Sequence, residues 1–126
     1  MWQLAQNLGG GVNTYWNESP LWLSGDGDVL VIKSDRGGGY GDQDIYYTTR
    51  GGGSWTTPQN LGPILNSSAD ETGASFWCNH NVVGGVIYWS SSRPGGQGGR
   101  DLWTSTDSEY YAAEPTSMGY LKATYK

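Results

Sequence analysis

A chain of 126 residues has room for one small domain, which buries only about two-thirds of the surface its unfolded form exposes. Twenty-one glycines, nine tyrosines and seven tryptophans against one phenylalanine leave little helix-forming material and point to an all-β chain. A net charge of −5, with seven basic residues and no basic cluster, argues against nucleic acid and against an anionic membrane surface as partners.

In chain order, the start MWQLAQNLGGG has neither a basic n-region nor an apolar run, so no signal peptide or membrane insertion is expected in the chain. A first strand is predicted over 19–24, followed by a tight turn at Asp26-Gly27, a strong short-hairpin signal. The run VLVIK (29–33) is apolar at consecutive positions, as a strand covered on both faces requires. A glycine-rich loop (37–43) leads into the strand DIYYTT (44–49), and a polar GGG (51–53) precedes SWTTPQNLG (54–62), the counterpart of WQLAQNLG (2–9). The same order then repeats: a strand over 73–78, VIYWS (86–90), a glycine-rich loop (94–100) and DLWTST (101–106).

Self-comparison makes the repeat explicit. Trp2, the QNLG at 6–9 (with Asn7), Asn13 and Glu18 recur 53 positions later as Trp55, the QNLG at 59–62 (with Asn60), Asn66 and Glu71. Ser34, Arg36, Gly38, Gly39, Gly41, Asp44 and Thr49 recur 57 positions later as Ser91, Arg93, Gly95, Gly96, Gly98, Asp101 and Thr106. Fourteen identities at two constant offsets mark a duplication with a four-residue insertion in the second copy, placed at 79–85 opposite GDGD (25–28). Four short strands per 53–57 residues is the size of one β-propeller blade.

The string 34–71 has a serine–acid–arginine start, a GGxG loop, Asp-Ile-Tyr, a tryptophan, Asn-Leu-Gly, Asn-Ser and a closing Glu. In this it resembles the TolB-type, WD-like propeller repeat of bacterial envelope proteins, over about residues 2–106. The resemblance implies two four-stranded antiparallel blades per chain (1–53 and 54–106), a divergent tail (107–126), and a bacterial cell-envelope or periplasmic location. The chain departs from the family pattern at CNHNVVGG (78–85) and in the tail, which has no counterpart.

Propellers close with four to eight blades, and two blades leave apolar faces and strand edges uncovered. The segment 2–8 matches an outer strand whose own inner strands are missing upstream, while 101–106 matches a third strand with no WxxPQNLG-like segment after it. These ends are complementary, so a homo-oligomer is expected in which each N-terminal strand closes a neighbour's last blade. The resemblance favours a trimer of six blades over a dimer of four. The tail segment GYLKATYK (119–126) is an alternative source of the fourth strand within the chain.

Chemistry-bearing residues favour structure over catalysis. Asp44 and Asp101 follow GGxG loops, but the acid comes one place late for a calcium nonapeptide. Loop glycines with Asp accepting backbone N–H groups explain the pattern. Arg36 and Arg93 recur with Glu18 and Glu71, as ion pairs or as ligand-facing guanidiniums. Asp26 and Asp28 are not repeated, and Cys78 with His80 offers two zinc ligands, too few for a structural site in one chain. No cofactor or metal is expected. A glycosidase needs two carboxylates in different environments, whereas the best candidates here are duplicated and equivalent, so the chain is read as not an enzyme. Trp55, Tyr46, Trp103, Tyr88 and Trp89 are assigned to the core. Trp16, Trp22 and Trp77 occupy non-equivalent positions and, with Arg36 and Arg93, are candidate ligand-binding residues. The expected function is a binding or scaffold module for a protein or peptide. The alternatives are a glycan-binding, lectin-like oligomer and a small glycoside hydrolase.

Overall fold

Residues 1–77 and 85–106 are described by a computed structural model of the chain, with Trp77 described in its main chain only. Cys78, His80, most of the 79–85 insertion and the whole 107–126 tail lie outside the described residues. The described residues form two antiparallel sheets and no helix.

The first sheet takes the order β1 (Glu18–Leu23), β2 (Val29–Ser34), β3 (Asp44–Thr49) and β4 (Gln59–Asn60). Pro20 is tolerated because β1 is an edge strand, and the ladder to β2 is interrupted by an irregularity between Pro20 and Trp22. The turn falls at Asp26-Gly27 as predicted: Gly27 takes φ 80° and donates to the Ser24 carbonyl at 2.9 Å. The Ser24 hydroxyl braces it, donating to Asp26 at 2.6 Å and accepting from the Val29 N–H at 2.9 Å. The fourth strand is shorter than the 54–62 segment suggested, with only Gln59 and Asn60 paired to β3 and an isolated bridge between Arg50 and Trp55.

The second sheet takes the order β5 (Glu71–Trp77), β6 (Val86–Ser91) and β7 (Asp101–Thr106). Two four-stranded sheets were expected; among the described residues this one has three strands, because nothing there pairs with the outer edge of β7. The 2–8 segment, expected as a strand, has no strand partner among the described residues and is exposed throughout.

The sheets share one register. Glu18 faces Ser34 as Glu71 faces Ser91, and Leu23 faces Leu30 as Phe76 faces Ile87. Val29 faces Thr49 as Val86 faces Thr106. The change of offset therefore falls in the first hairpin connection, where six positions separate Leu23 from Val29 and ten separate Phe76 from Val86.

The main core lies between the sheets, where Val31 and Ile45 of the first meet Ala74, Ile87 and Trp89 of the second. A smaller core of Val12, Ile32 and Tyr46 covers the first sheet's other face. Both faces of β2 are thus buried, as its unbroken apolar run implies, and each such side chain contributes about 1.5–3 kcal/mol. In β6 only one face is covered among the described residues: Ile87 and Trp89 are buried, but Tyr88 is 55% exposed. Its assignment to the core is therefore corrected. Tyr88 occupies the position of Val31, and no sheet lies over it among the described residues. Of the other assigned aromatics, Tyr46 and Trp89 are buried and Trp55 and Trp103 half-buried.

Candidate functional site

Each copy builds one ionic cluster where its first two strands meet. In the first, the Glu18 carboxylate accepts from the Thr14 N–H at 3.0 Å, from the Thr14 hydroxyl, and from the Ser34 hydroxyl at 3.2 Å, and it pairs with Arg36 at 3.3 Å. In the second, Glu71 accepts from the Ser67 N–H at 3.0 Å and the Ser91 hydroxyl at 2.9 Å, and pairs with Arg93 at 3.3 Å. The guanidiniums are equally committed. Each Nε donates to its serine hydroxyl at 3.0 Å, while Arg36 Nη2 reaches the Val12 carbonyl at 2.8 Å and Arg93 Nη1 the Ile64 carbonyl at 3.1 Å. Arg36 also lies over the Tyr46 ring, and Arg93 over Trp89 and Trp103. Burial alone would raise the Glu18 carboxyl, but its Thr14, Ser34 and Arg36 partners outweigh that and hold it below its ordinary range. Such clusters tie a loop to two strands.

The Asp residues behind the glycine loops perform a second repeated task. Asp44, fully buried, accepts from the N–H groups of Tyr40 at 2.5 Å and Gly41 at 3.2 Å; Asp101 accepts from those of Gln97 at 2.9 Å and Gly98 at 3.2 Å. Burial pushes the Asp44 carboxyl up, against the Tyr40 and Gly41 N–H bonds and the Asn60 amide, and the nearby Glu71 adds to the rise. Among the described residues no group of three or more His, Cys, Asp or Glu side chains comes together as a metal-ligand set.

A pair of asparagines, recurrent in the sequence but given no role there beyond the repeat, pins the linker between the sheets to the first sheet. Asn66, fully buried, accepts from the Ile45 N–H at 2.7 Å and donates to the Ile45 carbonyl at 2.9 Å and to Asn60 Oδ1 at 2.8 Å. Asn60 in turn donates to Asp44 at 3.4 Å. In the first copy Asn13 donates to Asn7 Oδ1 at 3.1 Å, and Asn7 accepts from the Gly9 N–H at 2.8 Å as Asn60 accepts from Gly62. The signal that could have found this clasp was the constant spacing of the two asparagines in both copies.

The aromatic candidates separate. Trp16 is exposed beside Gly37 and lies against the exposed Tyr15, with ring centroids 4.1 Å apart and the rings tilted by 30°. Trp22 is half-buried, 5.4 Å from the ring of Phe76 between the sheets. Trp77 ends β5, and its side chain lies outside the description. Trp2 is fully exposed, whereas its counterpart Trp55 lies under Arg50 at 4.9 Å.

The most exposed apolar surface of the second sheet is Leu102 and Tyr88, at 78% and 55% exposure; their counterparts Ile45 and Val31 are both at 0%. No family model, curated protein or solved structure matches this chain.

Proposed function

We propose that the chain is a non-catalytic β-propeller-type scaffold and binding module of TolB-like repeats, working through self-assembly and a protein or peptide partner. The observation that carries this reading is the contrast between Ile45 and Leu102. Equivalent positions are sealed between sheets in one copy and open to solvent in the other. An open apolar sheet face next to a strand edge that is unpaired among the described residues is a surface that needs a partner. A homo-oligomer, with a trimer of six blades preferred over a dimer of four, supplies one, and the bacterial envelope or periplasm is its proposed setting. The non-catalytic reading draws support from Glu18 and Glu71, the two acids best placed by the repeat. Both are held in the same bonds to serine or threonine and arginine, the arrangement of a repeated structural brace.

The test is the mass of the chain in solution by light scattering. A stable species at 13.6 kDa would overturn the self-assembly reading. The second reading, a lectin-like oligomer, is favoured by the exposed Tyr15–Trp16 pair, whose rings suit a sugar face. A glycan array decides it, and silence across the array would remove it. Turnover of chromogenic glycosides that disappears in Glu18→Gln or Glu71→Gln would revive the hydrolase.

A further inference from the structure

The junction between the two sheets within one chain is a template for a junction between chains. Four of its contacts have both halves present elsewhere in the chain, unmatched among the described residues. The Asn66 carboxamide grips the backbone of Ile45; Asn13 occupies the place of Asn66 and Leu102 that of Ile45. Asn60 reaches the Asp44 carboxylate; Asn7 corresponds to Asn60 and Asp101 to Asp44. The Leu61 N–H donates to the Ile45 carbonyl at 3.1 Å, and Leu8 stands for Leu61.

The fourth contact is steric. A Cβ at Gly41 would stand 2.7 Å from the Ala69 carbonyl oxygen and closer still to that of Ser67, so the linker between the sheets lies in the hollow that this glycine leaves. Gly98, the same residue of the second copy, has no described residue within 4 Å of that position. The counterparts of Ser67 and Ala69 are Thr14 and Trp16, in the same N-terminal stretch as Asn7 and Asn13.

We propose that the 2–16 stretch of a second copy of this chain docks on the outer edge of β7. There Gln6 and Asn7 would pair with Thr104 and Trp103, Asn13 would close on the backbone of Leu102, and the Thr14 and Trp16 carbonyls would fill the hollow at Gly98. This rests on the self-assembly reading and gives it an address. The apolar surfaces agree: docking brings the exposed Leu102 and Tyr88 against the first sheet of the incoming chain, as Ile45 and Val31 meet the second sheet within one chain. The contact is head-to-tail, so it closes into a ring where its rotation divides a full turn and otherwise propagates as a filament.

The test uses the full chain with Cys78→Ser, which removes its only cysteine. Gln6→Cys and Thr104→Cys are then added together, since Gln59 and Tyr47 are direct cross-strand partners and such pairs bring Cβ atoms within disulfide reach. Mild oxidation should link chains covalently, while each single cysteine variant and the mismatched pair Gln6→Cys with Ser105→Cys should link far less. Separately, Gly98→Ala, which meets no atom of the described residues, should raise the concentration at which the assembly dissociates by about tenfold or more, with the circular dichroism of the protomer unchanged. Assembly by mass without the Gln6–Thr104 link, and indifferent to Gly98→Ala, would overturn the address and leave self-assembly standing. A wild-type monomer would overturn both.

Discussion

The carboxamide of Asn66 forms two hydrogen bonds with the backbone of Ile45, accepting from its N–H at 2.7 Å and donating to its carbonyl at 2.9 Å. A third bond, to Asn60, leaves this fully buried side chain with each of its polar atoms engaged. Asn66→Ala strands the Ile45 amide and should cost about 2–4 kcal/mol, read as a lower urea midpoint with an unchanged slope. Asn66→Asp keeps the acceptor but turns the donor into a charged acceptor facing two oxygens. Its loss at pH 7 should be at least as large, and should shrink in acid as the carboxyl regains a proton to donate.

The Glu71–Arg93 and Glu18–Arg36 pairs share chemistry but differ in burial. The Glu71 side chain is wholly buried, whereas that of Glu18 keeps 10% exposure. Removing Glu71 leaves two serine hydroxyls and a guanidinium without their acceptor. Glu71→Ala should therefore cost about 3–5 kcal/mol and Glu18→Ala clearly less, both measured by urea unfolding. Equal losses would mean that burial is not what separates the copies.

Glu18 and Asp44 should pull the pH dependence of stability in opposite senses. Glu18 lies below its ordinary 4.5, so its contribution is full above that pH and is lost as pH falls through the folded-state value. Glu18→Gln should flatten the acid side of the stability curve below pH 4.5. Asp44 lies above its ordinary 3.8, so the folded chain takes up its proton first and gains stability as pH falls toward 3.8. Relative to wild type, Asp44→Asn should lose that gain. Urea titrations from pH 3 to pH 7 separate the two, and a Glu18→Gln curve parallel to wild type would contradict the assignment.

Trp89 is 2% exposed, and its indole N–H has no acceptor among the described residues. Trp89→Phe removes that unsatisfied donor along with some volume, so the two effects oppose. The net loss should stay below about 1.5 kcal/mol, whereas Trp89→Ala should cost about 3–5 kcal/mol, compared by thermal melts.

Much of this architecture was legible because it is local. The β2, β3, β6 and β7 strands fall within one residue of their predicted spans, since β-branched and aromatic runs bounded by glycine carry their own signal. The arginine–glutamate pairs were one of two readings open for Arg36 and Arg93, suggested by their joint recurrence. What could not be read was anything set by position relative to a neighbouring sheet. Tyr88 and Trp89 are adjacent apolar residues of one strand, yet one is exposed and one buried, because among the described residues only one face of β6 is covered. Asn66 was visible only as a repeated letter. Its partner lies 21 residues upstream on another strand, and no local pattern announces that.

The placing of Asn66 also governs how the molecule comes apart. It sits on the linker that leaves β4 and enters β5, yet its bonds are made to β3. Pulling β5 and its hairpin away drags this amide out of the first sheet, and fraying β3 releases the entrance to the second. The two sheets should therefore open together. Amide exchange at Ile45 should run at the pace of global unfolding, protected as strongly as the centre of β6 despite the distance in sequence between them.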